Sequence, residues 1–232
     1  MTDFDPQRKE NLYAQTYRII RKALMAGQFP PGHVLRLRPL ADELGISVTP
    51  VREALLRLVS ERALVSDTSR AIRVPVVEVG RFREIRDLRV MLEGRAAEIA
   101  ARNATDATVG TLVSLQERLR EARQARDFRG ALAINEEFHF TVYGLSDMPV
   151  LYGLIEGLWV QIGPILTRIF DVADSRIVTD HPHDGVIAAF RARDGAAARI
   201  AIETDIVWAA RHLEPTLARP SDEAGPPLAG SA

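Results

Sequence analysis

With 232 residues the chain holds either one large domain or two small ones, and 47% hydrophobic and 26% charged residues are ordinary for a soluble globular protein. It has no cysteine, which excludes disulfides, thiolate zinc sites and cysteine nucleophiles. The net charge of −1 divides unevenly: residues 1–76 carry 12 Lys and Arg against 8 Asp and Glu, a balance of +4, while the rest carries 18 against 23, a balance of −5. That split fits a nucleic-acid reader joined to a second module, and it fits ordinary solvated surface charge almost as well.

Residues 1–9 read as disordered, and the opening M-T-D-F-D-P-Q-R-K-E has no apolar core of the kind a signal peptide needs. Glu10 to Ala26 is predicted to be a helix, because Tyr13, Tyr17, Ile20 and Leu24 form an apolar stripe at helical spacing. Gly27 stops it, and Phe29-Pro30-Pro31-Gly32 is a rigid turn followed by a short extended piece, Val34 to Leu37. Pro39 to Leu44 forms a short helix, Gly45-Ile46 is a turn, and a second helix opens at Ser47 and runs to about Glu61. Ser47 and Thr49 are good N-cap types, and Pro50 lies in the first turn, where a missing N–H costs nothing. Val51, Leu55, Leu58 and Val59 give that helix an inward face, which leaves Val48, Thr49, Arg52 and Leu56 toward solvent or a partner. Such a pair is either a helix-turn-helix or an ordinary helical hairpin. Leu64-Val65-Ser66 and Ala71-Ile72-Arg73-Val74 then read as two short strands around a polar turn, which completes a winged helix over residues 10–75.

Residues 76–80 form a brief linker. Beyond it no strand signal appears, and six helices are predicted: Arg81 to Arg102, Asp106 to Arg126 with Thr105 as its cap, Gly130 to Gly144, Pro149 to Val172, Pro182 to Arg193 and Gly195 to Leu213. The first has Ile85, Leu88, Leu92, Ala96 and Ile99 on one face. The longest apolar region, Val150 to Phe170, carries Glu156, Gln161, Pro164 and Arg168, so it reads as a core helix rather than a membrane span. The fold class expected is mainly α: a winged helix-turn-helix domain, an all-α bundle over 81–215, a disordered tail over 216–232, and a cytoplasmic location.

The stretch L-A-D-E-L-G-I-S-V-T-P-V-R-E-A-L resembles the DNA-binding segment of the GntR family of bacterial transcription regulators. Its core matches eight of nine positions of the family's S-R-T-P-V-R-E-A-L, the departure being Val48. The runs R-V-M-L-E-G-R-A-A-E-I-A-A and H-D-G-V-I-A-A-F-R-A-R-D-G are similar to the FCD effector domain of the FadR-type branch. The resemblance implies a homodimer that reads operator DNA, with Arg52 bidentate to a guanine, Thr49 on a phosphate or base edge, Ser47 at the positive helix end, and Arg38 also on DNA. Val48 offers an apolar group to a thymine methyl in place of the usual guanidinium. At the wing, Ala71 stands where the family commonly has glycine, and Arg70 and Arg73 supply charge.

Asn135 and His139 sit at i, i+4 on one helical face, and the resemblance aligns them with His183 and Asp205 as a divalent-metal set. Asp205 replaces the family's usual His, which leaves zinc, nickel, manganese and iron all open. His181 is a rival to His183, and His212 lies about 10 Å along the helix from Asp205 at ~1.5 Å per residue, too far to share one ion. Arg89 matches a family arginine that clamps a carboxylate, so a small organic acid is the effector expected for what would be a repressor rather than an enzyme. Two alternatives stay open on the residues: a metal-dependent hydrolase, and a metal-free regulator with a larger apolar effector.

Overall fold

A computed structural model describes residues 6–66, 71–169 and 182–217, with only the backbone for 6–11. Helix α1 (Pro6–Met25) leads into strand β1 (Val34–Leu35), helices α2 (Leu37–Leu44) and α3 (Val48–Ser60), and strands β2 (Val65–Ser66) and β3 (Ile72–Arg73). Gly45 closes α2 at φ 66°, a left-handed conformation that glycine adopts without a Cβ penalty, and the chain turns directly into α3. The inward face of α3 is Val51, Ala54, Leu55 and Leu58, all fully buried. The wing is a three-stranded antiparallel sheet of order β1-β3-β2, with Val34 opposite Arg73 and Val65 opposite Arg73 on the other side. The extended piece at Val34 is thus the third strand of this sheet.

The second half is helical: α4 (Val79–Arg102), α5 (Asp106–Gln124), α6 (Phe128–Gly144), α7 (Pro149–Leu166) with a 3-10 turn at Thr167–Ile169, α8 (His183–Ala192) and α9 (Gly195–Leu217). Thr105 caps α5 by accepting from the Thr108 N–H, as its position predicts. Among the boundaries that differ from expectation, three stand out. Helix α1 starts at Pro6, inside the segment read as disordered, and proline is well suited to a first turn. Helix α4 starts at Val79, within the expected linker. Helix α9 continues through Pro215 to Leu217, where Arg168 donates to the Thr216 carbonyl at 2.8 Å and satisfies part of the helix end. The expected end of α7 at Val172 falls outside the described residues.

One face is also rotated. Helix α4 buries Phe82, Ile85, Arg89, Glu93, Ala96, Ala97 and Ala100, while Leu88 is 40% and Met91 64% exposed. A hydrophobicity pattern assigns charges outward; here two charges neutralise each other and take the inward stripe, turning Leu88 out.

The apolar helix α7 buries Ile155, Trp159, Val160, Ile162 and Ile165. It also forms the joint between the two halves. A Cβ on Gly163 would collide with the backbone of α1, standing 2.6 Å from Met25 Cα, and one on Gly27 would stand 2.6 Å from Thr167 Cγ2. Arg21 of α1 reaches Glu156 of α7 at 3.0 Å. Glu136 of α6 faces Lys22, Glu137 and Glu156. Its Oε2 is buried without a hydrogen-bond partner, and burial pushes its pKa up to about 7.

Two outcomes are expected. Gly163→Ala lowers the thermal midpoint through overpacking of about 1–3 kcal/mol, whereas Gly153→Ala, with nothing within 4 Å of the added methyl, raises it slightly. Because the folded pKa of Glu136 lies above the unfolded value, the folded state binds the extra proton, and stability falls as pH rises from about 4.3 through about 7. Denaturant titration should therefore show Glu136→Gln more stable than wild type by about 1–2 kcal/mol at pH 8, after discounting for partial solvation, and equal to it at pH 4.

Candidate functional site

Helices α6, α8 and α9 each contribute one member of a buried cluster. His139 and His183 are 2% and 0% exposed, and Asp205 is 5% exposed. Their ligand-type atoms all lie within 4.8 Å of one another. The His139 Nε2 and His183 Nε2 atoms are 3.2 Å apart, His139 Nε2 is 3.3 Å from Asp205 Oδ2, and His183 Nε2 is 3.9 Å from Asp205 Oδ1. Asn135, one turn before His139, lines a cavity together with His139 and Asp205. His181 lies outside the described residues, and His212 stands apart, its Nδ1–H donating to the Trp208 carbonyl at 2.8 Å.

The surrounding bonds assign the tautomers. Tyr143 Oη donates to Glu93 Oε2 at 2.5 Å, so toward His139 Nδ1, 3.0 Å away, it acts as acceptor and the ring proton sits on Nδ1. With the Gln116 amide oxygen 2.9 Å from His183 Nδ1, that ring is likewise protonated at Nδ1. The His183 ring is further held by stacking on Phe138, with centroids 3.9 Å apart and planes within 5°. Both Nε2 lone pairs therefore converge with a carboxylate. A multivalent cation offers all three a partner at once, whereas a proton serves only two. This is the donor set, and the outer-shell orientation, that a nitrogen- and oxygen-ligated divalent ion requires.

Glu93 anchors the other wall. Fully buried, it accepts from Arg89 Nε at 2.6 Å, Arg89 Nη2 at 3.2 Å, Tyr143 Oη and Trp159 Nε1 at 3.0 Å. The Arg89 guanidinium also lies 4.6 Å from the Trp159 ring centroid. Burial works against the Arg89 charge, but Glu93 more than offsets it and holds the pKa above its ordinary value. Tyr143 is pushed well up, by burial first and the Glu93 charge next, so its hydroxyl stays protonated. The cavity is partly open to solvent and has a volume of about 40 Å³. Besides Arg89 and Asn135, it is lined by Arg123, Leu132, Trp159 and Trp208.

Sequence reasoning did not single out Glu93, Arg123, Tyr143, Trp159 or Gln116 as parts of the site. Glu93 and Tyr143 each fall a helical turn from a residue that was singled out, four after Arg89 and four after His139, and that spacing was the available signal. Gln116 and Arg123 on α5 carry no comparable signal.

At the other end, the N-terminal turn of α3 is open. Ser47 is its N-cap by backbone conformation, yet its hydroxyl makes no capping bond. Ser47, Thr49 and Arg52 are exposed, and so is Arg38 on α2. Val48 is half-buried against the core of this domain, so its apolar side chain also has a packing role. Arg73 is half-buried on β3, Ala71 is half-buried beside it, and Arg70 lies outside the described residues.

Comparison with known proteins gives this arrangement a lineage. Residues 12–74 match the model of bacterial regulatory proteins of the gntR family, and residues 84–218 match the FCD domain. The HTH-type transcriptional regulator McbR of Escherichia coli K12 is 35% identical over 191 residues, covering 82% of this chain and 86% of that protein. The Nta operon transcriptional regulator of Aminobacter aminovorans is 30% identical over 73% of this chain and 80% of that protein. The solved structure of E. coli McbR/YncC superposes with a TM-score of 0.83 at 32% identity, covering 88% of this chain and 98% of that chain. A regulator from Rhodococcus sp. RHA1 shares the fold, at a TM-score of 0.69 and 19% identity over 88% of this chain and 96% of that chain. These relatives are named as transcriptional regulators, which does not favour the hydrolase alternative. The chain belongs to the gntR family, with a winged helix-turn-helix followed by an FCD domain, and is a DNA-binding transcriptional regulator rather than an enzyme.

Proposed function

We propose that this chain is a cytoplasmic homodimeric repressor, released from its operator when a small organic acid binds a metal-containing cavity in the helical domain. The observation that carries the reading is the convergence of two imidazole lone pairs and a carboxylate at the wall of a cavity lined by His139, Asp205 and two arginines. A divalent ion there would be held by His139, His183 and Asp205, with Asn135 alongside, and would supply a Lewis-acidic positive charge for an effector carboxylate. Arg89, paired with Glu93, lines the same space. The exposed apolar residues Leu88 and Met91 on α4 and Ile200 on α9 support a face covered by a second copy.

On the operator side, Arg52, Thr49, Ser47 and Arg38 meet the DNA, with Val48 against a thymine methyl and Arg70 and Arg73 at the wing. Coupling follows from shared elements. Leu132 of α6 lines the cavity and stands 3.4 Å from where a Cβ on Gly27 would lie, while α7 carries both Trp159 of the cavity and Gly163 against α1. An effector that favours one packing of α6 and α7 thereby favours one placement of α1 and its winged helix.

Two results are expected. Protein purified without chelator should hold close to one equivalent of zinc, nickel, manganese or iron by elemental analysis, and His139→Ala should lose it; absence of metal from both points instead to a metal-free regulator. In fluorescence anisotropy at fixed salt, on a site selected from random DNA, Arg52→Ala should bind about 10-fold to 100-fold more weakly, the value of one bidentate base contact. Unchanged affinity would remove Arg52 from the interface.

A further inference from the structure

Two sets of side-chain contacts on α1 meet at one residue, Tyr17. Toward the winged helix, the buried Tyr17 donates its hydroxyl proton to Glu61 Oε2 at 2.6 Å, and the Arg57 guanidinium lies 4.0 Å from the Tyr17 ring centroid. Arg57 Nε in turn donates to Glu61 Oε1 at 2.9 Å, so the three side chains close a ring of contacts at the C-terminal end of α3. Burial, with the Glu61 bond adding to it, pushes the Tyr17 pKa up to about 12, so the hydroxyl stays protonated and keeps donating.

Toward the helical domain, Arg21 stands one helical turn after Tyr17, with its guanidinium 5.8 Å from the same ring centroid. Its Nη1 donates to Glu156 Oε2 of α7 at 3.0 Å. Glu156 is the one carboxylate bonded to Arg21 among the described residues, and Arg21 Nε is buried without a hydrogen-bond partner. The placement of this guanidinium therefore depends on α7. Contacts run from Glu156 of α7 through Arg21 and Tyr17 of α1 to Arg57 and Glu61 of α3. None of these residues lines the cavity, and none lies in the exposed N-terminal turn of α3.

We propose that Arg21 and Tyr17 are positioning residues for DNA recognition: they pass the hold of Glu156 on α1 to the far end of α3 and so fix the angle at which its N-terminal turn meets the operator. The proposal rests on the reading that α3 meets the DNA, and it needs neither metal nor effector. Arg52 lies nine residues before Glu61, about 14 Å along the axis at a rise of 1.5 Å per residue, so a tilt at Glu61 displaces it. A bidentate base contact requires placement within about 0.5 Å.

The test is fluorescence anisotropy at fixed salt on a site selected from random DNA. It uses full-length wild type, Glu156→Ala, Arg21→Met, Tyr17→Phe, the Glu156→Ala/Tyr17→Phe double variant and Arg52→Ala, each shown by thermal melting to be folded at the assay temperature. Glu156→Ala and Tyr17→Phe should each weaken operator binding about 3-fold to 10-fold with the salt slope unchanged, because no phosphate contact is removed. Arg21→Met should weaken it likewise, which separates the ion pair from any effect of Glu156 on its neighbours Glu136 and Tyr152. The double variant should bind no more than about 2-fold more weakly than the weaker single variant, since both changes cut one chain of contacts. Wild-type affinity in Glu156→Ala and Arg21→Met would overturn the proposal, and so would a double-variant loss equal to the product of the two single losses. Wild-type affinity in Arg52→Ala would instead remove α3 from the interface, and the proposal would fall with that reading.

Discussion

Glu93 is the constraint around which the helical domain is arranged. An ionised carboxylate with no exposure is tolerated only when its oxygens are fully bonded and its charge is matched. Arg89 of the same helix supplies the charge, Trp159 of α7 and Tyr143 of α6 supply further donors, and three helices are thereby held in one register. The consequence reaches the candidate metal cluster. Because the Tyr143 proton is committed to Glu93, the tyrosine oxygen accepts from His139 Nδ1 and leaves Nε2 as a lone pair. Removing Glu93 would strand a buried arginine and also free the tyrosine proton, so structure and ligand chemistry share one residue.

In the proposed mechanism the same arrangement gives the cavity a route to the DNA-binding domain. Helix α6 presents His139 to the cluster, while Leu132 sits between the cavity and the turn at Gly27. Helix α7 is pinned to Glu93 by Trp159 and to α1 by the close approach at Gly163. Packed cores respond to such contacts by switching between discrete arrangements, because close-packed side chains leave little room for gradual deformation. In the proposed mechanism, Trp159 and Gly163, four residues apart on one helix, would carry a shift at the cavity to α1.

Much of the architecture was legible in the sequence because it rests on local signals. The apolar spacing of Val51, Leu55 and Leu58, the glycine at position 45 and the Thr105 cap each act within a few residues, and the structure shows each of them at work. The cluster of His139, His183 and Asp205 was reached only through resemblance, since spacing cannot say that α6, α8 and α9 converge. What escaped were features set by tertiary neutralisation. Arg89 and Glu93 look like a solvated i, i+4 pair in the sequence, yet they occupy the inward stripe of α4 and displace Leu88 to the surface. Arg123 looks like one of many helix-surface arginines until the fold turns it into the cavity.

The central claim is that the relays through Tyr143 and Gln116 present two Nε2 atoms and one carboxylate to a single divalent ion. Anomalous diffraction from crystals of protein purified without chelator addresses it directly. One anomalous peak within bonding distance of His139 Nε2, His183 Nε2 and an Asp205 oxygen is predicted. A peak elsewhere, or refined density with the two imidazole nitrogens hydrogen-bonded to each other and no ion between them, would contradict it.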